Sequence, residues 1–186
     1  MKKLFLLTII FLFFSACTKG AEETEFVANI PSGVQTSARN LSVFRTEETV
    51  NMTRANGLEL PATAGARLHE DYRVATENNS FCYISFDNTS LIKMDELSRV
   101  FVFAETETLL SVAVIHGQIL VDVQEQPPEQ MTEIHIGGAI LGIRGTLFVA
   151  AQRDGFIEVT MLEGAVETDT RKALDSPSVT RIFDDG

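Results

Sequence analysis

The sequence has 186 residues, of which 45% are hydrophobic and 22% are charged, a composition typical of one globular domain with additional segments. Its formal net charge of −11 argues against a nucleic-acid partner, because a surface that binds phosphate groups must be basic. Adsorption to an anionic membrane surface is disfavoured for the same reason.

Residues 1–16 have the pattern of a secretory signal peptide. A basic pair, Lys2 and Lys3, precedes the apolar residues 4–14, and two small residues follow them. The apolar stretch is well short of the roughly 20 residues that a membrane-spanning helix needs. The sequence therefore predicts export, in preference to a permanent transmembrane anchor.

Cys17 directly follows this segment, and the residues Phe-Ser-Ala-Cys that end at it resemble a bacterial lipobox. A lipobox cysteine receives lipid and becomes the first residue of the mature chain. We therefore predict a lipid anchor on Cys17, in preference to simple cleavage or a free thiol. The protein is expected in the bacterial cell envelope facing the periplasm, and Thr18 favours the outer membrane over the inner membrane.

The chain changes character near residue 40. Residues 17–40 are rich in small and polar side chains with little periodicity, which is typical of a flexible tether. Residues 41–170 contain short alternating apolar segments separated by turn residues, which predicts an all-β domain. Residues 171–186 are expected to form a C-terminal tail or an edge strand. The clearest predicted strands are SFCYISF, SLIKM, RVFVFA, LLSVAVI, QILVDVQ, TEIHI, TLFVAA and FIEVTML.

Alternation within these segments predicts that each sheet buries one side. In SFCYISF, Cys82 has the same parity as Ile84 and Phe86. We therefore expect Cys82 to be a small buried residue and not a catalytic thiol, since no neighbouring histidine or cation would lower its pKa. If Cys17 carries lipid, Cys82 also has no cysteine left with which to form an intramolecular disulfide.

The stretch GGAILGIRGTLFVAA, which begins at Gly137, raises the question of a phosphate-binding loop. Such a loop needs a lysine followed by Ser or Thr, and a dinucleotide site needs Gly-x-Gly-x-x-Gly in a βαβ unit; neither is present. We predict instead that Gly137 and Gly138 form a turn, and that Gly142 and Gly145 supply positive φ angles or close backbone approach. Arg144 is expected to pair with a carboxylate or to cap strand carbonyls.

Within this stretch, ILGIRGTLFVAA resembles the signature of the FecR-like domain family, in which Arg-Gly-Thr precedes a strand with an inward aromatic residue. Here the tripeptide ends at Thr146, and the aromatic residue is Phe148. The other pieces, in the family's order, are AGARLHEDYRVAT, SFCYISFDNTSLIKMDELSRVFV, HGQILVDV with Gly117, and EGAVE with Gly164.

The resemblance covers residues 41–168 and implies an all-β domain in which stacked β-hairpins form a twin-stranded solenoid or an elongated sandwich. Stacking suits the spacing of the turns, because each hairpin can bury one face only by resting on the next. In the best-known members of the family, an exported domain of this kind is linked through a membrane helix to a cytoplasmic anti-sigma segment.

Catalytic and metal-binding patterns are not found in the sequence. His69, His116 and His135 are scattered and have no Cys or second His at ligand spacing. A Gly-x-Ser-x-Gly nucleophile motif is absent, and most carboxylates lie in predicted turns or on solvent-facing positions. We therefore expect no enzyme, no metal and no cofactor. A pocket that brings together two carboxylates, or a serine and a histidine, would count against this expectation.

The favoured function is a non-catalytic envelope lipoprotein whose FecR-like domain binds another envelope protein, of unknown identity, in signalling or scaffolding. The alternative is a protein that binds peptidoglycan or another carbohydrate. That alternative is weakened by the aromatic content, because the chain has no Trp and only two Tyr to stack on sugar rings.

Replacing Cys17 by Ala should release the protein from membrane fractions, because the proposed lipid would have no attachment point. Immunoblotting of separated membrane and soluble fractions measures this release. Cys82→Ala is the matched control and should remain membrane-bound. Retention of the Cys17→Ala protein in the membrane fraction would refute the lipobox interpretation.

Overall fold

The structure, a computed structural model, describes residues 39–168, 173–175 and 178–183. The predicted signal peptide, Cys17 and the tether as far as residue 38 lie outside the described residues. Within the described ranges the chain forms β-strands and no helix, which confirms the predicted all-β class.

These ranges contain sixteen strands, arranged in two sheets. The strands are β1 (Leu41–Glu47), β2 (Val50–Thr53), β3 (Glu59–Pro61), β4 (Arg73–Thr76), β5 (Phe81–Phe86), β6 (Ser90–Met94), β7 (Arg99–Glu105), β8 (Leu109–His116), β9 (Gln118–Val123), β10 (Met131–Ile136), β11 (Ala139–Ile143), β12 (Thr146–Arg153), β13 (Phe156–Glu163), β14 (Ala165–Thr168), β15 (Ala173–Asp175) and β16 (Ser178–Phe183).

The chain passes repeatedly from one sheet to the other. The seven-stranded sheet has the order β1-β5-β6-β9-β12-β13-β16, and the nine-stranded sheet has the order β15-β14-β11-β10-β8-β7-β4-β2-β3. Neighbours are antiparallel except β8 and β10, the one parallel pair among the described strands. This arrangement fits a sandwich-like fold. The described strands do not form a closed solenoid, so that alternative is not supported.

A single apolar core forms where the two sheets meet. Burial follows the period-two pattern expected of strands, as in β5, where Cys82, Ile84 and Phe86 are at most 2% exposed. Ile134 of β10, in the opposite sheet, belongs to the same buried cluster. Full burial of such a side chain contributes about 1.5–3 kcal/mol, so the packing of the two inner faces is the main stabilising term.

All eight segments predicted most clearly as strands are strands, namely β5 to β10, β12 and β13. The prediction missed β11, because its Gly142 was interpreted as part of the turn region before β12. In fact the sequence Ala-Ile-Leu-Gly-Ile alternates correctly for a strand, with Ala139, Leu141 and Ile143 buried. Pairing on both sides, with β10 and β14, holds this strand in the sheet.

The folded region is longer at both ends than residues 41–170. Arg39 and Asn40, the last residues of the predicted tether, belong to the domain. The side chain of Arg39 is only 1% exposed and pairs with Asp87 in the β5–β6 turn. Its Nη1 also donates a hydrogen bond to the carbonyl of Met131 at 2.6 Å. At the C-terminal end, β15 and β16 each add an edge strand, one to each sheet.

Two glycines of the signature have different backbone requirements. Gly145 has a φ of +66°, a left-handed conformation that favours glycine, whereas Gly142 is not among the positive-φ residues. A Cβ at Gly142 would make only an ordinary contact, 3.6 Å from the carbonyl oxygen of Glu167. The expectation of special geometry at Gly142 is therefore wrong, because this residue lies inside a regular strand.

Replacing Gly145 by Val should lower the free energy of unfolding by about 1–3 kcal/mol, because a β-branched residue is strained at this φ. Thermal and urea denaturation followed by circular dichroism measure the change. Gly142→Val is the matched control and should be nearly neutral. Equal stability of the two variants would contradict the interpretation.

Cys82 should be unreactive in the folded protein. Burial raises its pKa from 9.0 to about 12, so the thiol stays protonated and shielded at neutral pH. This raised pKa also means that the stability gained from the protonated thiol falls as pH rises from about 9 toward 12.

A thiol titration with a chromogenic disulfide at pH 8 checks this expectation. The Cys17→Ala variant leaves Cys82 as the only thiol. We expect no reaction in buffer and one reactive thiol per chain in denaturant. Rapid reaction in buffer would show that Cys82 is accessible.

Candidate protein-binding site

The solvent-facing side of the nine-stranded sheet, here called the open face, carries the most extended group of aromatic contacts. Strand register places one row of side chains straight across β4, β7, β8, β10 and β11. In order, this row contains Arg73, Phe101, Ala113, His135 and Ile140. The open face therefore presents apolar and aromatic groups where a solvated sheet more often presents polar ones.

Phe103 extends this row into a chain of ring contacts. It lies at a β-bulge between Val102 and Ala104 and is 58% exposed. Its ring stacks on His135 with centroids 5.6 Å apart and meets Phe101 edge-on at 6.3 Å. The guanidinium of Arg73 lies 4.9 Å from the centroid of Phe101. These four residues, Arg73, Phe101, Phe103 and His135, are called the aromatic row.

Beneath the aromatic row, a serine and a histidine are in contact, which is an arrangement that a catalytic triad would need. His135 Nε2 lies 2.9 Å from Ser111 Oγ and 3.1 Å from a carboxylate oxygen of Glu133. In a catalytic triad the carboxylate holds the ring nitrogen opposite the one that faces the nucleophile. Here both contacts are at Nε2, and Ser111 is only 1% exposed. The contacts therefore orient His135 in the aromatic row and do not assemble a triad.

A second histidine, His69, contacts a buried carboxylate near the end of β7. Its Nδ1 lies 3.2 Å from Glu105, whose side chain is 3% exposed. Arg67 approaches the same carboxylate at 3.7 Å, and Tyr72 meets the His69 ring edge-on. Arg67 thus places a positive charge close to this buried carboxylate, although Glu105 Oε1 itself has no hydrogen-bond partner among the described residues.

A depression of about 460 Å³ opens on the open face close to the signature arginine. Gly142, Ala165 and Met131 are among its apolar lining groups, and Glu129 and Glu167 are the acidic residues of its described lining. Two carboxylates thus share one pocket, which is the feature named above as counting against a non-catalytic protein. The described lining includes no serine, histidine or aromatic side chain beside them. We call this depression the glycine slot.

Arg144 forms part of the rim of the glycine slot. Its Nη2 donates a hydrogen bond to the carbonyl of Pro128 at 2.8 Å. Pro128 belongs to the Pro-Pro-Glu-Gln segment, which connects β9 in one sheet to β10 in the other. Arg144 thus caps a carbonyl of this connection, and no strand carbonyl or carboxylate is its partner in this bond.

The remaining signature residues lie in the interior. Phe148 is fully buried and Thr146 is 2% exposed, so both belong to the packed side of β12. Gly164 approaches the backbone of Gly145 so closely that a Cβ would lie 2.5 Å from its carbonyl oxygen. These residues position the strands that form the slot and do not line it.

Gly117 lies away from the slot, at the end of β8. A Cβ on Gly117 would lie 2.4 Å from Ser98 Oγ, so this position needs glycine for close packing. Two shallower depressions, of about 300 and 280 Å³, share Leu97 and His116 as lining residues here. Gly117 is therefore not brought together with Arg144.

Neither a metal-ligand cluster nor a membrane-crossing helix is found in the described ranges. There, no three His, Cys, Asp or Glu side chains are grouped so that they could hold a metal ion. The same ranges include no helix with the length and hydrophobicity needed to cross a membrane.

Sequence reasoning identified Gly142 and Arg144 but missed the aromatic row. The alternation of Arg-Val-Phe-Val-Phe, with Val100 and Val102 buried, was the available signal, since it directs Phe101 and Phe103 outward. The contact with His135 depends on the pairing of β7, β8 and β10, which a single sequence does not provide.

Comparison with known proteins gives the following relations. No curated protein matches the sequence. Two crystal structures, at 1.65 and 2.50 Å resolution and both described provisionally as an anti-sigma factor from Parabacteroides distasonis ATCC 8503, are similar, with 15% and 16% identity and a TM-score of 0.46 each. The matches cover 60% of this chain and 50% of those chains, so this chain spans about half their length.

A family match covers most of the signature pieces. Residues 72–167, more than half of the 186-residue chain, match the family described as FecR protein. This range runs from the last residue before β4 to β14 and so includes the aromatic row, Gly142 and Arg144. The resemblance inferred from the sequence is confirmed, and the chain belongs to the FecR family.

Proposed function

We propose that this protein is a non-catalytic cell-envelope lipoprotein whose FecR domain binds another protein, in signalling or scaffolding. The observation that carries the proposal is the aromatic row on the open face. Membership of the FecR family agrees with a regulatory role of this kind. The lipobox pattern at Cys17 supports the envelope location and the lipid anchor.

The composition of the open face suits a protein partner. Aromatic residues, Met and Arg are enriched at the centres of protein interfaces, and the open face offers Phe103, Met131 and Arg73. Phe103 and Met131 are 58% and 53% exposed, so both have substantial surface left to bury. Contiguous exposed apolar groups of this kind mark interaction sites on soluble domains.

The size of the sheet also suits an ordinary interface. Nine strands at a spacing of about 4.8 Å give a sheet roughly 40 Å wide. A standard interface buries about 800 Å² on each partner, which corresponds to a patch about 30 Å across. The open face can therefore accommodate one partner without a contribution from the seven-stranded sheet.

Carbohydrate binding is the less well-supported alternative, because both tyrosines already have partners. The guanidinium of Arg45 lies 4.1 Å from the centroid of the Tyr83 ring. Tyr72 packs against the core and contacts His69 edge-on. Neither ring is thus an unoccupied platform of the kind that sugar recognition uses.

The proposal is tested by photo-crosslinking in intact cells. A benzophenone amino acid in place of Phe103 should give a discrete adduct with one envelope protein, because this position lies at the centre of the proposed interface. The same substitution at Phe44 is the matched control, since Phe44 is 64% exposed on β1 at the edge of the other sheet.

Immunoblotting and mass spectrometry identify the adducts. An absence of adducts at Phe103, or the same adducts at both positions, would contradict the proposed interface. Retention of the purified protein on isolated peptidoglycan would favour the alternative function.

A further inference from the structure

We propose that the glycine slot receives the side chain of a lysine or arginine from an extended basic segment of the partner protein. This inference rests on the proposed function, because it specifies the chemistry of the partner. It is carried by a side-chain-sized gap at Gly142, in a depression lined by the carboxylates of Glu129 and Glu167, close to the aromatic row.

Strand register creates the gap. Glu133 of β10, Gly142 of β11 and Glu167 of β14 lie side by side in one row of the open face. The strands are about 4.8 Å apart, so the backbones of the two glutamates are separated by roughly 10 Å. Because the middle residue has no side chain, this row has a gap one side chain wide at Gly142. Glu167 lines the slot beside that gap, whereas the Glu133 carboxylate contacts His135.

The lining of the slot has two chemical parts. Gly142, Ala165 and Met131 provide apolar surface, and Glu129 and Glu167 provide carboxylates. Lysine and arginine combine an aliphatic stem with a cationic end, and they bury the stem while the charge stays at a polar rim. A volume of about 460 Å³ is sufficient for such a side chain together with part of its backbone.

The cation already present does not neutralise the slot. Among the described residues that line the slot, Arg144 is the one basic group, and its Nη2 is engaged by the Pro128 carbonyl at 2.8 Å. In this described lining, two carboxylates therefore face a single guanidinium. With a net charge of −11 for the whole chain, an acidic segment would be repelled and a basic one attracted.

The slot and the aromatic row can be covered by the same partner. Glu133 flanks Gly142 in the strand register, and its carboxylate also contacts His135 of the aromatic row at 3.1 Å. A segment that places a basic residue in the slot would therefore lie beside Phe103. Aromatic anchors next to a charged specificity contact are a common arrangement in protein interfaces.

The inference is tested by nuclear magnetic resonance titration of the ¹⁵N-labelled full chain. The probes are the capped tripeptides Ac-Val-Arg-Val-NH₂, its uncharged citrulline isostere and Ac-Val-Glu-Val-NH₂, each added to about 10 mM, because one side chain gives only millimolar affinity. The arginine peptide should shift the amide signals of Gly142 and Glu167 saturably. The citrulline peptide should bind about tenfold more weakly, and the glutamate peptide should not bind.

Three variants identify the slot as the binding site. Gly142→Val fills the gap without backbone strain and should abolish the shifts. Glu167→Gln keeps the shape, removes one carboxylate and should weaken binding about fivefold, and it carries the test if Gly142→Val folds poorly. Glu59→Gln, which makes the same change on β3 at the opposite edge of the sheet, should bind like the parent protein.

Failure of this inference is distinguishable from failure of the proposed function. Equal binding of the arginine and citrulline peptides, or no shift at Gly142 and Glu167, would overturn the slot even if Phe103 crosslinks to a partner. Saturable, charge-dependent binding of the arginine peptide supports the slot even if Phe103 gives no adduct, and in that case the aromatic row is not the interface.

Discussion

The structure depends on one constraint, which is that each sheet has a single apolar face and must bury it against the other sheet. Isolated, either sheet would expose side chains such as Ile84 or Ile134, which are at most 2% exposed in the folded domain. The chain meets this constraint by crossing from sheet to sheet after every one to three strands. The same crossings therefore determine both the packing of the core and the topology of the chain. The outward faces of both sheets remain available for contacts with other molecules.

The residues of the family signature also fall into two groups, one that faces the core and one that faces solvent. Thr146 and Phe148 point into the core and help to fix β12, whereas Gly142 and Arg144 line a depression on the open face. One short stretch of sequence thus contributes to packing and to surface chemistry. Gly142 illustrates the difference between these roles, because its strand would accept a larger residue whose side chain would occupy part of the depression.

Local alternation was enough to predict the all-β class, the eight clearest strands and the burial of Cys82. It could not predict which strands pair, because register depends on residues far apart in the chain, as in the contact between Arg39 and Asp87. The bulge at Phe103 and the row through Gly142 follow from that register. For residues 171–186 the sequence left a tail and an edge strand as alternatives, because the short segments there carry little periodicity of their own; β15 and β16 are edge strands.

Arg39 determines how the domain responds to a force applied through its N-terminal side. Its guanidinium, which lies just before β1 begins, contacts Asp87 in the β5–β6 turn of the seven-stranded sheet and the carbonyl of Met131 in β10 of the nine-stranded sheet. A force applied to the chain before β1 is therefore resisted by contacts of Arg39 with both sheets. It cannot detach the edge strand β1 without also breaking these contacts. A domain built in this way resists unravelling from its N-terminal edge, because detaching β1 requires the contacts of Arg39 with both layers to break.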